Sequence, residues 1–108
     1  MNLIAVDGMG GDQAPSSIVE GVLLAKQEGV NCALVGDKRE IEYLINNRAS
    51  IPLYDYPEVI AMDEEPTRSI RRKKKSSIVG CMNLLKNNEA SGVFSAGSTG
   101  AAMVAAIT

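Results

Sequence analysis

Residues 3–36 read LIAVDGMGGDQAPSSIVEGVLLAKQEGVNCALVG, and the hydrophobic period changes twice within them. Leu3–Val6 is an almost unbroken apolar run, the pattern of a strand covered on both faces. A glycine-rich loop follows from Asp7 to Pro15. The next segment carries Ile18, Val22 and Ala25 on one face, which predicts a helix. Ser17 and Glu20 have capping-box spacing, and Pro15 suits the start of a helix. Gly29 supplies the stop. "VNCALVG" is then a second buried strand. Strand, loop, helix and strand in this order form a unit that places two strands side by side and parallel.

The alternation continues down the chain. Asp37 and Glu40 again have cap spacing, ahead of a helix with Ile41, Leu44 and Ile45 on its apolar face. "IPLYDY" and "EVIAM" are short strand candidates, the first weakened by Pro52. After the charged segment Asp63–Lys75, Ser76 or Ser77 caps a helix with Ile78, Cys81, Met82 and Leu85 at spacings of three and four. "GVFSAG" is the next strand, and a last helix is expected from near Thr99. The class is α/β, with a mostly parallel sheet and helices on both faces.

With 108 residues the chain is one domain at most. It has three Tyr, one Phe and no Trp, so Ile, Val, Leu, Ala and Met must build the core. The net charge of −2 gives no global pull toward nucleic acid or a membrane. The N-terminus shows no basic n-region, and no apolar run is long enough to span a bilayer, so a cytoplasmic location is expected. Cys32 and Cys81 lack metal-ligand spacing and read as reduced core residues, with a disulfide or a catalytic thiol as the alternatives. Histidine is absent. Proton transfer within this chain falls to a carboxylate, a lysine, a hydroxyl or the substrate.

Ligands of open α/β sheets bind beyond the carboxyl ends of the strands. Two loops leave strands at that edge: Asp7–Pro15 and Ser95–Ala101. In the second, Gly97 and Gly100 let backbone approach a ligand closely. Ser95, Ser98 and Thr99 offer hydroxyls, and the helix that follows presents N–H groups and a partial positive end. This predicts an anion site, with phosphate the usual occupant, although a tight strand-to-helix turn needs the same small residues. In the first loop Gly8, Gly10 and Gly11 are spaced G-x-G-G, which is not the dinucleotide fingerprint. Asp7 and Asp12 read either as a metal or acid–base pair or as loop caps.

Arg68, Arg71, Arg72, Lys73, Lys74 and Lys75 hold six of the chain's eleven Lys and Arg. Asp63, Glu64 and Glu65 lie just upstream. One reading is a solvated loop with internal pairing. The other is a docking patch for an acidic partner, or a clamp for phosphate.

Four motifs, "IAVDGMGGDQAP", "LVGD", "VIAMDEEPTRSIRRKKKSS" and "SAGSTGA", occur in this order. Together they resemble the N-terminal part of the bacterial phosphate acyltransferases of phospholipid synthesis. The resemblance implies a three-layer α/β/α fold similar to that of phosphotransacetylases and isocitrate/isopropylmalate dehydrogenases. It implies transfer of a fatty acyl group from acyl carrier protein to inorganic phosphate, without a cofactor. It further implies a homodimer working at the membrane surface, whose acyl phosphate feeds the membrane-bound glycerol-3-phosphate acyltransferase. Matching positions for phosphate are Ser95, Gly97, Ser98, Thr99 and Gly100, with Asp7, Gly10, Gly11 and Asp12 on the facing loop. The acidic carrier protein gives the run from Arg68 to Lys75 a partner.

Three positions depart from the family pattern. Gln13 stands where the family usually has His, Gly8 where it has Ala, and Ser98 where it has Asn. Gln13 donates a hydrogen bond but does not titrate, so no general base is assigned. Family members are considerably longer, so residues 1–108 are expected to be the N-terminal portion of one catalytic domain, stopping inside an apolar helix. The alternative reading is a stand-alone phosphate- or nucleotide-binding module without catalysis.

Overall fold

A computed structural model describes residues 2–61, 63–97 and 103–106. Four strands form one parallel sheet: β1 (Ile4–Asp7), β2 (Cys32–Gly36), β3 (Leu53–Asp55) and β4 (Gly92–Phe94). The helices are α1 (Ser16–Gln27), α2 (Lys38–Ile45), α3 (Pro66–Arg72) and α4 (Ser77–Lys86). Strand order is β3-β2-β1-β4. The chain thus moves outward from β1 through β2 to β3, then returns to add β4 on the other side of β1. Right-handed crossovers that reverse direction in this way put helices on opposite faces.

Strand alternation sorts the core accordingly. Val6 and Leu34 face Val19, Val22 and Leu23 of α1 and Ile41 and Ile45 of α2. Ala5 and Val35 face Cys81 and Leu84 of α4. The expected α/β class and three-layer arrangement are present. A third cluster joins Ile70 of α3, Ile78 of α4, Ile60 and Ala105. Residues 103–106 are helical, with Ala105 buried and Met103 exposed. No helix among the described residues is long and apolar enough to cross a membrane.

Local expectations hold in part. Asp37 caps α2 through the Glu40 N–H at 3.3 Å, and Asp55 at the end of β3 accepts the Lys38 N–H at 3.2 Å. Ser76 caps α4, accepting from the Val79 N–H at 3.4 Å. Gly29 follows α1 with φ +86°. The capping box at Ser17 does not form. Residues 12–15 already turn, so the Ser17 N–H reaches the Gln13 carbonyl, and Pro15 is the N-cap without a side-chain bond. Glu20 instead pairs with Arg48 at 2.6 Å across the α1–α2 surface. Over its described residues, 58–61, "EVIAM" is not a strand: only Glu58 makes a bridge, to Ser76. The buried face of α4 runs through Leu84, leaving Leu85 exposed.

Gly80 lies where α4 crosses the sheet. A Cβ there would sit 2.6 Å from the Tyr56 ring and 2.7 Å from Val35 Cγ1. Glycine to alanine in a helix ordinarily stabilises by about 1 kcal/mol. Here the sign is expected to reverse. Overpacking a buried contact costs about 1–3 kcal/mol, so G80A should lower the urea midpoint, and a raised midpoint would contradict the close packing.

Candidate functional site

Strand order reverses between β1 and β4, and the carboxyl ends of the strands at such a switch point are the usual ligand position in open α/β sheets. The two glycine loops leave the sheet at this point. Gly10 packs directly on Gly97: a Cβ on Gly10 would lie 2.8 Å from the Gly97 nitrogen and 2.7 Å from Asp7 Oδ2. The first loop also turns through Gly11 at φ +100°, beside Ala96. Both loops therefore need glycine at the contact, because any side chain would separate them.

Asp7 ties them together. Its side chain is buried, at 3% exposure. Oδ1 accepts the Met9 N–H at 3.0 Å, and Oδ2 accepts the Ser95 hydroxyl at 2.8 Å. Ser95 Oγ in turn accepts the Gly97 N–H at 3.1 Å. One carboxylate thus fixes its own loop and, through Ser95, the opposite one. Asp12 is exposed in the turn that follows. Asp7 works here as a loop cap. No group of three or more His, Cys, Asp or Glu gathers as metal ligands among the described residues. Ser98, Thr99 and Gly100 lie outside the described residues.

Cys81 lies under this junction. Burial pushes its thiol well above the ordinary range, and the negative Asp7 carboxylate adds to the rise. Burial also raises the Cys32 thiol. Both cysteines are free. Neither supplies a thiolate at neutral pH, so both behave as core residues.

The basic run is only partly a loop: Arg68, Arg71 and Arg72 lie on α3, and Lys73, Lys74 and Lys75 form the turn that follows it. Glu65 caps α3, accepting the Thr67 and Arg68 N–H groups at 3.1 and 2.7 Å, and Pro66 opens the helix. The Glu65–Pro66 pair was a readable cap signal hidden by the density of charge. Lys73 is committed elsewhere: its ammonium binds Glu64 at 2.6 Å and the Val59 carbonyl at 2.8 Å. Lys75 lies 5.0 Å over the Tyr56 ring. Arg68, Arg71, Arg72, Lys74 and Lys75 are exposed.

These contacts carry a pH dependence. Hydrogen bonds from Lys73 and then from the Ala61 N–H hold the Glu64 carboxyl below the usual glutamate range. The Arg68 and Thr67 N–H groups do the same for Glu65. Carboxyls more acidic in the folded state than in the unfolded one contribute stability above the unfolded pKa. That contribution is lost as pH falls through the folded value. The melting temperature should therefore fall on acidification below about pH 4.5, the ordinary glutamate range. E65Q should flatten the decline; an unchanged slope in E65Q would remove the capping carboxylate as its source.

The chain matches the family described as "Fatty acid synthesis protein" over residues 3–108. Among curated relatives, the phosphate acyltransferase of Nostoc punctiforme is 50% identical over 108 residues, covering 96% of this chain and 32% of that protein. The phosphate acyltransferase of Enterococcus faecalis is 47% identical, again over 96% of this chain and 32% of its own length. That of Pelotomaculum thermopropionicum is 48% identical with the same coverage. The chain spans about a third of the length of these relatives. With a match across nearly all of its residues, glycine loops and basic helix included, the chain belongs to the fatty acid synthesis protein family.

Proposed function

We propose that the protein transfers a fatty acyl group from acyl carrier protein to inorganic phosphate, and that phosphate binds where the loops after β1 and β4 meet. The observation that carries this reading is the contact of Gly10 on Gly97 at the point where strand order reverses. The naming of the relatives as phosphate acyltransferases agrees with it. Phosphate is itself the nucleophile in such a transfer, so the absence of histidine from these 108 residues is no obstacle. The protein has to hold the anion in line with the thioester carbonyl and stabilise the oxyanion that develops. In this reading Gly10, Gly11 and Gly97 bring backbone close to the anion, and Ser98, Thr99 and Gly100, which follow in the sequence, are proposed as further phosphate ligands. Asp7 and Ser95 hold the loops in shape. No cofactor enters the reaction.

The exposed cations of α3 and its C-terminal extension, Arg68, Arg71, Arg72, Lys74 and Lys75, are proposed to dock the acidic carrier protein. Lys73 contributes by stapling this segment to Glu64. In this reading the protein acts as a homodimer near the membrane surface, where its acyl phosphate product is passed to the glycerol-3-phosphate acyltransferase.

The test is acyl phosphate formation by the whole protein from acyl carrier protein thioester and phosphate. Product that appears in proportion to both substrates supports the reading. Phosphate binding without product would leave a binding module instead. Neutralising Arg71, Arg72, Lys74 and Lys75 should slow association about tenfold at low salt, with the difference shrinking as salt is raised. Equal rates at low salt would make α3 and the turn after it an ordinary solvated face.

A further inference from the structure

The bonds around Ser95 leave it a narrow chemical repertoire. A serine hydroxyl has one proton to give and two lone pairs. The proton goes to Asp7 Oδ2 at 2.8 Å, and one lone pair takes the Gly97 N–H at 3.1 Å. Asp7 is buried and its other oxygen is occupied by the Met9 N–H, so the carboxylate holds the serine proton in place. What Ser95 has left is a single acceptor site. Ser95 is only half-buried, just after β4 where the two loops meet.

We infer that Ser95, fixed as an acceptor by Asp7, makes the site selective for a tetrahedral anion that carries a proton. This rests on the reading above that an anion binds where the two loops meet. Hydrogen phosphate offers a P–O–H group that can donate to Ser95 Oγ. Sulfate has the same shape and, at pH 8, nearly the same charge, but no proton. Its oxygen would face an oxygen lone pair across the contact. A buried or half-buried acceptor left against another acceptor is costly, and such mismatches are how polar sites reject close analogues. Ser95 is thereby a specificity-determining residue, and Asp7 is the positioning residue that sets its orientation. The two do not bind the anion through charge; the carboxylate would oppose it.

The experiment is calorimetric titration of the whole protein at pH 8 with phosphate, arsenate and sulfate. Arsenate is the second proton-bearing anion. Wild type should bind phosphate and arsenate alike and sulfate at least about tenfold more weakly. S95A removes the acceptor and should bring the phosphate-to-sulfate ratio close to one. D7N frees the Ser95 proton to turn toward the ligand, so it should improve sulfate binding relative to phosphate; S95T, which keeps the hydroxyl, should retain the wild-type ratio. D7N is the variant at risk of misfolding, and S95A with S95T decides the matter without it. Sulfate binding as tight as phosphate in wild type, or an unchanged ratio in S95A, would overturn the inference while leaving an anion site in place. No binding of any of the three anions would overturn both this inference and the assignment of phosphate to the meeting of the loops.

Discussion

Replacing Asp7 with alanine is expected to destabilise the protein by about 2–5 kcal/mol. Asp7 accepts the Met9 N–H and the Ser95 hydroxyl from a position with 3% exposure. Alanine leaves both donors without this partner; an unsatisfied buried group costs about 1–3 kcal/mol, and the upper end is reduced here because Met9 and Ser95 are only part-buried. A small domain has only about 5–15 kcal/mol in total, so this single change removes a large part of it. D7N keeps one acceptor oxygen at nearly the same volume and should lose less. Urea unfolding of both variants measures the difference. A D7A midpoint within error of wild type would mean that the carboxylate does not join the loops in solution.

Gly10→Ala is expected to reduce phosphate-dependent acyl transfer about a hundredfold while costing about 1–3 kcal/mol of stability. The added methyl would meet the Gly97 nitrogen at 2.8 Å and Asp7 Oδ2 at 2.7 Å. Neither is the free end of a flexible side chain, so the loops must separate. A displacement of about 1 Å in groups that position a nucleophile is enough for a loss of that size. Gly21→Ala is the control. A Cβ at Gly21 meets nothing within 4 Å, and the exposed face of α1 should accept it with no change in rate. Equal rates for both variants would detach the loop contact from the reaction.

Much of the architecture could be read from local pattern. The apolar runs at Leu3–Val6 and in "VNCALVG", the stop at Gly29 and the caps at Asp37 and at Ser76 or Ser77 are decided within a few residues; the structure has strands at Ile4–Asp7 and Cys32–Gly36, and of the two serines it is Ser76 that caps. Strand order is different in kind. Nothing within Gly92–Phe94 says that this strand returns to the far side of β1, so the meeting of the two loops became visible only with the sheet assembled. The same holds for Asp7 and Ser95. Each was readable as a polar residue at a strand end, but their mutual bond joins positions 88 residues apart. Sequence reading therefore placed both on the ligand, whereas the geometry spends them first on each other. In the basic run, counting charge concealed the Glu65–Pro66 helix start and the Lys73–Glu64 pair, because both depend on which way a particular side chain turns.

The position of β4 also has a bearing on the order of events in folding. β1 meets β2 after about 30 residues of chain, while its partnership with β4 spans 88 at the Ser95–Asp7 bond. Closing the longer loop costs about 1 kcal/mol more in chain entropy, a modest penalty with a clear direction. During synthesis, β1, β2 and β3 are complete by Asp55, before Gly92–Phe94 is made, so one flank of β1 then lacks its partner. Until β4 docks, Asp7 lacks the Ser95 hydroxyl that it accepts in the folded structure. A nascent chain thus acquires its loop junction only when the last of these strands docks.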